Sequence, residues 1–120
     1  METVAVIGAS PKEDRYSNKA MKMLEEHHHT PIPVAPGHDT ILEKQVFKTI
    51  NEIPEDLDTV TMYLAPQRQD EVLDDIIAKA PKRVIFNPGS ENKPAYERLE
   101  SNGIKVVEAC TLVLLRTGQY

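Results

Sequence analysis

The sequence predicts a single open α/β sheet with helices on both faces, and three observations lead there. Short β-branched apolar runs alternate along the chain with amphipathic helical segments. The two densest runs, Val4-Ala5-Val6-Ile7 and Arg83-Val84-Ile85-Phe86, lack polar alternation, as suits strands covered on both faces of a parallel sheet. A chain of 120 residues, with no repeat, low-complexity tract or Gly/Ser linker, has the length of one core, so residues 1–120 are read as one domain.

The elements follow in order. Val4 to Ile7 is a strand that stops at Gly8. Met21 and Leu24 carry helical spacing between Ser17 and His28. Pro31-Ile32-Pro33-Val34-Ala35 reads as the second strand, its prolines tolerated near the strand's start. From Pro36 to Glu55 only a short strand-like piece, Gln45-Val46-Phe47, and one turn of helix are expected. Thr59 to Leu64 is the third strand. Val72, Leu73, Ile76, Ile77 and Ala80 then form one apolar stripe that ends at Pro81. After the strand at Arg83–Phe86, Pro94, Ala95 and Leu99 lead to Asn102-Gly103, a helix with a left-handed C-terminal cap. Ile104 to Val107 is the last strand. The apolar tail from Cys110 to Leu115 suits a strand or a short helix equally. Strands separated by helices of this length imply right-handed crossovers, and a Rossmann-like order 3-2-1-4-5 is expected.

Composition narrows the function. Lys and Arg number 14 and Asp and Glu 19, so the formal charge is 14 − 19 = −5, which disfavours nucleic acid as the main partner. The longest apolar run, Leu112 to Leu115, is far too short for a bilayer, and no leader pattern precedes Thr3 to Ile7. One cysteine, Cys110, cannot form an internal disulfide, and a reducing, cytoplasmic setting is expected.

Ligands of open α/β sheets bind beyond the carboxyl ends of the strands. That directs attention to Gly8-Ala9-Ser10-Pro11, Ala35-Pro36-Gly37, Ala65-Pro66 and Asn87-Pro88-Gly89-Ser90, loops whose residues let a ligand approach the backbone. The first loop lacks the second and third glycines of a dinucleotide fingerprint, and Ala35-Pro36 stands where an acidic residue would hold an adenosine ribose. Ser17, read as the head of the following helix, offers a hydroxyl, free N–H groups and the positive end of the helix dipole, a place for a phosphate.

At these residues the chain resembles a known family. Val4-Ala5-Val6-Ile7-Gly8-Ala9-Ser10, Arg15-Tyr16-Ser17-Asn18-Lys19, Pro33-Val34-Ala35-Pro36, Phe86-Asn87-Pro88-Gly89-Ser90 and Gly103-Ile104-Lys105-Val106-Val107 with Cys110 look like the small bacterial CoA-binding proteins. Those are single-domain relatives of the N-terminal domain of the succinyl-CoA synthetase alpha subunit. The resemblance implies a Rossmann-like fold that binds coenzyme A or an acyl-CoA, with no established reaction of its own. By position it implies that Gly8, Ala9 and Ser10 line the pyrophosphate, helped by Tyr16, Ser17 and Lys19. Pro36 would border the adenosine, Ala65 and Pro66 would form another wall, and Asn87, Pro88 and Gly89 would face the pantetheine. Three places depart from the family pattern: His27-His28-His29-Thr30 where a glycine usually precedes the second strand, Ala35-Pro36 for Asn-Pro, and Glu43 for a glycine after Ile41-Leu42. A carboxylate at Glu43 would repel the coenzyme's 3′-phosphate if it faced the site.

Other candidates read more blandly. Consecutive His27, His28 and His29 fan out by roughly 100° each on a helix and suit a solvated helix end better than a metal site. Cys110 reads as a buried structural thiol rather than a reactive one. Asp56 and Asp58, and Asp74 and Asp75, read as solvated surface. No nucleophile–base order or Walker loop appears, and the chain is read as a binding module rather than an enzyme. A protein-interaction or regulatory domain that kept the fold and lost the ligand, and a weak NAD(P) binder, are the rival readings. A side chain at Gly8 would fill the pyrophosphate's space, and valine there would cost the fold little if its backbone angles suit a β-branched residue.

Overall fold

The computed structural model describes residues 1–120. The chain runs β1 (Thr3–Ile7), α1 (Tyr16–Glu26), β2 (Thr30–Val34), β3 (Thr40–Ile41), β4 (Lys44–Gln45), β5 (Thr59–Met62), α2 (Asp70–Lys79), β6 (Arg83–Phe86), α3 (Lys93–Ser101), β7 (Lys105–Glu108) and α4 (Thr111–Arg116). Single 3-10 turns cover Ile50–Glu52 and Pro66–Arg68. The uncertain tail is thus a short helix.

Five strands form one parallel sheet in the order β2-β1-β5-β6-β7, while β3 and β4 make a separate antiparallel hairpin. Numbered among the five, the order is 2-1-3-4-5 rather than the expected 3-2-1-4-5. Thr59–Met62 pairs directly with β1, Val4 opposite Thr59 and Ile7 opposite Met62. All four of its residues are buried, which suits a central strand. The outer edge of β2 instead holds one parallel bridge, Val34 to Phe47, made by Ala35 N–H to Phe47 O at 3.0 Å and Phe47 N–H to Pro33 O at 3.1 Å. The strand-like piece seen around Val46-Phe47 therefore occupies the place expected for the third strand, shrunk to a single bridge.

The dense apolar runs are explained by two covered faces. Ala5, Ile7, Val60, Met62, Val84 and Phe86 point to the side packed by α2 and α3 through Leu73, Ile76 and Leu99. Val4 and Val6 point to the other side, against Met21 and Leu24 of α1 and Leu115 of α4. Alternation is present, but both phases are apolar.

Helix ends show why certain residues sit where they do. Leaving α3, Gly103 has φ +78°, and Ile104 N–H reaches Leu99 O while Gly103 N–H reaches Glu100 O, a Schellman cap. Leaving α1 the same pair of bonds runs from His29 to Leu24 and from His28 to Glu25, with His28 at φ +69° where glycine is favoured. In the β3–β4 hairpin, Leu42 and Glu43 take φ +51° and +63°, the left-handed pair of a tight turn. Non-glycine residues thus occupy positive-φ positions in two of the segments, 27–30 and 41–43, that depart from the pattern the resemblance implies.

Candidate functional site

The loops after β1, β5, β6 and β7 converge at the carboxyl edge of the sheet and enclose two adjoining cavities. One, about 200 Å³, is bordered by Gly8, Ser10, Arg15, Tyr16, Ser17, Tyr63 and Pro88. The other, about 340 Å³, is bordered by Tyr16, Lys19, Tyr63, Asn87, Pro88 and Cys110, and by Leu112, Val113 and Arg116 of α4. Tyr16, Tyr63 and Pro88 belong to both, so the two read as one cleft.

The smaller cavity is built from the turn between β1 and α1. Gly8 has φ +88° and donates its N–H to Val34 O at 3.1 Å, and Ala9 donates to the same oxygen at 3.3 Å. A Cβ on Gly8 would meet Tyr63 and Leu64 atoms at 3.3 Å, so its backbone angles do not suit a β-branched residue. The N–H groups of Ser10, Tyr16 and Ser17 find no acceptor in the chain. Arg15, with φ −77° and ψ 140°, is the capping residue of α1, and Ser17 is the second residue inside the helix. Ser17 is therefore not the cap, and its hydroxyl makes no hydrogen bond within the chain. The turn is pinned by Asn18, completely buried, whose side-chain N–H donates to Ser10 O at 2.9 Å.

The larger cavity rests on a buried polar network. Asn87 donates to Thr61 Oγ1 at 2.7 Å and to Met62 O at 2.9 Å, and accepts from Thr111 N–H at 2.9 Å. Its amide is spent on tying β5, β6 and α4 together, leaving Pro88 as the face of that loop. Thr61 and Thr111 hydroxyls bond each other at 2.8 Å. The Tyr63 hydroxyl, next to these engaged partners, is buried without a hydrogen bond of its own, and burial pushes it up to about 12. It is a neutral donor at neutral pH. Gln69, also fully buried, donates to Leu64 O and Ser90 O and holds the loops after β5 and β6 at fixed spacing.

Of the residues picked out by sequence, Gly8, Ser10, Tyr16, Ser17, Lys19, Asn87 and Pro88 meet in the cleft. Ala9 is buried behind the turn, and Pro36, Ala65, Pro66 and Gly89 border neither cavity. Glu43 lies in a separate groove with Lys22, Glu25 and Lys44, away from both. Cys110, read as buried, is half-buried and forms part of the cleft wall. His29 is not a solvated helix end: its Nδ1 accepts from Glu2 N–H at 3.0 Å. Tyr63, Arg15 and the α4 residues Leu112, Val113 and Arg116 were missed. The apolar tail carried the signal for α4, but nothing local places it over the carboxyl edge of the sheet.

No helix is long and apolar enough to cross a membrane. Comparison with known proteins bears on this cleft. The chain is 25% identical over 104 residues to the uncharacterized protein YneT of Bacillus subtilis (strain 168), covering 87% of this chain and 77% of that one. A crystal structure of an uncharacterized protein superposes with a TM-score of 0.94 at 40% identity, over 100% of this chain and 98% of the other. A hypothetical protein from Pyrococcus horikoshii OT3 superposes at 0.85 with 28% identity, over 94% and 81%. Residues 2–116 match the family described as CoA binding domain, a span that takes in both halves of the cleft and all of α4. By that match this chain belongs to the CoA-binding domain family.

Proposed function

We propose that the cleft binds coenzyme A or an acyl-CoA, without a reaction of its own. One observation carries this reading. In a chain of net charge −5, the charged side chains bordering both cavities are Arg15, Lys19 and Arg116, with no carboxylate among them. None of the three is in an ion pair. Together with the free N–H groups of Ser10, Tyr16 and Ser17, they suit a ligand with several phosphate charges. The smaller cavity takes the pyrophosphate, and the larger one, with Tyr63, Pro88, Leu112 and Val113, takes the less polar pantetheine arm. The neutral Tyr63 hydroxyl and the fully engaged Asn87 amide supply orientation rather than acid–base chemistry. A cytoplasmic setting, where thiols stay reduced, suits the unpaired Cys110.

A thermal-shift panel of CoA, acetyl-CoA, NAD and NADP tests the proposal. A ligand at ~100 times its dissociation constant adds about 2.7 kcal/mol to the native state. CoA is expected to raise the Tm clearly more than NAD or NADP at equal concentration. No shift up to millimolar CoA sinks the reading and favours a protein-interaction domain that has lost its ligand, for which Tyr16 and Val113 stand exposed on the cleft rim.

A further inference from the structure

At the end of the sheet opposite the cleft, four segments meet around one ring. Tyr120 lies between the His29 ring, centroids 4.9 Å apart, and the Arg83 guanidinium, 4.4 Å from the Tyr120 centroid. Arg83 is held by its Nε–H to Thr59 Oγ1 at 2.8 Å and by its pairing with Glu2 at 3.5 Å. His29 is held by the Glu2 N–H. Tyr120 is reached from α4 through Thr117 to Gln119, where Gly118 at φ +72° allows Gln119 N–H to return to Leu114 O. The same α4 supplies Leu112, Val113 and Arg116 to the cleft. Its first turn is fixed by Thr111, bonded to Asn87 and Thr61, and its last turn is packed through Leu115 against Met21 and Leu24 of α1, while Arg116 beside it is exposed and leads through residues 117–119 to Tyr120.

We infer that Tyr120 is a positioning residue for the cleft and that protonation of His29 opens the clasp that holds it. The inference rests on the proposed CoA reading for its ligand, while the clasp itself is independent of any ligand. His29 Nδ1 accepts a hydrogen bond, so in the closed clasp the ring is neutral, with its proton on Nε2. A second proton would have to sit on Nδ1, facing the Glu2 N–H donor, and would put a second cation beside a ring already facing Arg83. The charged and titratable groups around His29 are Glu2, the Met1 amino group, His27 and Arg83, with the Tyr120 phenol against its face. Removal from water is the main cause that holds His29 below the ordinary histidine value; Glu2 opposes it, and the Met1 amino group, His27 and Arg83 reinforce it. Below about pH 6.5 the unfolded chain therefore binds a proton that the closed clasp resists, and the clasp weakens as pH falls. The Tyr120 hydroxyl has no hydrogen-bond partner, so the ring rather than the hydroxyl does the holding.

The test uses the full chain and three variants, Tyr120→Ala, Tyr120→Phe and His29→Phe. CoA affinity is measured by isothermal titration at about pH 7.5 and about pH 5.5, and amide-exchange protection of residues 111–120 is measured without ligand. Tyr120→Ala is expected to lose tail protection and bind CoA about fivefold more weakly, the scale of one displaced cation contact, and Tyr120→Phe to match the parent in both. The parent should lose tail protection at the lower pH, and His29→Phe should show no such pH step. The phosphate of CoA titrates in the same range, but equally for every variant, so only the difference between parent and His29→Phe is read. Equal protection and affinity in Tyr120→Ala and the parent overturn the positioning role. An identical pH step in the parent and His29→Phe overturns the role of His29. If Tyr120→Ala does not fold, the parent and the two phenylalanine variants still decide the pH response. Tail protection lost in Tyr120→Ala while the parent binds no CoA leaves the clasp standing and removes the CoA reading instead.

Discussion

Asn18 and Ser10 are joined by a 2.9 Å hydrogen bond from a side chain with no solvent exposure to the carbonyl of the turn that edges the cleft. The bond fixes the distance between the end of β1 and the start of α1. Both ends of the free N–H array, at Ser10 and at Tyr16 and Ser17, are thereby set before any ligand arrives, and pre-setting lowers the ordering cost of binding. Asn18→Ala leaves the Ser10 carbonyl without its donor. It is expected to cost about 1–3 kcal/mol in urea unfolding and to weaken CoA binding as well. Unchanged stability would show that the turn holds itself.

Gly8 combines φ +88° with a Cβ position already crowded at 3.3 Å by Tyr63 and Leu64. Left-handed strain and crowding add, so Gly8→Val is expected to destabilise the protein by roughly 2–4 kcal/mol and to abolish CoA binding. Calorimetric melting checks the first part. A variant as stable as the parent contradicts the conformation described for this turn.

Ser17 tests the phosphate cradle with less collateral damage, because Arg15 and not Ser17 caps α1. Ser17→Ala should remove one hydrogen bond to a charged group, on the order of 1.5–3 kcal/mol, or roughly 10- to 150-fold in affinity. The ligand-free Tm should stay nearly constant, since no cap is lost. Titration and ligand-free melting are read together, and intact affinity would move the phosphates elsewhere.

His28 and Glu43 are exposed residues at φ +69° and +63°, a backbone conformation that favours glycine. Relief of left-handed strain, partly offset by the extra freedom of glycine in the unfolded chain, should make His28→Gly and Glu43→Gly each stabilising by about 0.5–1 kcal/mol. Neither residue borders the two cavities, so the contacts proposed for the pyrophosphate and pantetheine, and with them CoA affinity, should not change. Denaturant midpoints lower than the parent's would refute this account of the departures.

Asp58 accepts from Thr3 N–H at 2.9 Å and faces Lys82 at 3.1 Å, and these contacts, the backbone bond first, hold its carboxyl below the usual aspartate range. Its stabilising contribution is therefore complete above the unfolded value near 3.8 and is lost as pH falls through the lower folded value. Between about pH 5 and about pH 2 the Tm of Asp58→Asn should fall less steeply than that of the parent. Parallel curves would place the acid sensitivity on other carboxylates.

Much of this molecule could be read locally. The runs Val4–Ile7 and Arg83–Phe86, the stripe from Val72 to Ile77, and the Pro94 and Gly103 boundaries of α3 each depend on neighbours within one or two turns, so periodicity and capping chemistry reveal them. Gly8 and Ser10 were legible for the same reason, since a strand that stops at glycine before a helix leaves free N–H groups there. Ser17 was read as the helix head although α1 starts at Tyr16, and Lys19 came from the resemblance rather than from local pattern. What the tertiary structure alone decided was set by pairings between distant residues. Thr59–Met62 joined β1 rather than the outside of β2, because a wholly buried strand is satisfied only at the centre of the sheet, and Phe47 took the edge with a single bridge. The same long-range packing laid α4 across the sheet and brought Arg116, Val113 and Cys110 to the cleft that Tyr63 backs. No local period encodes those meetings; complementarity between faces that are separate along the chain selects them.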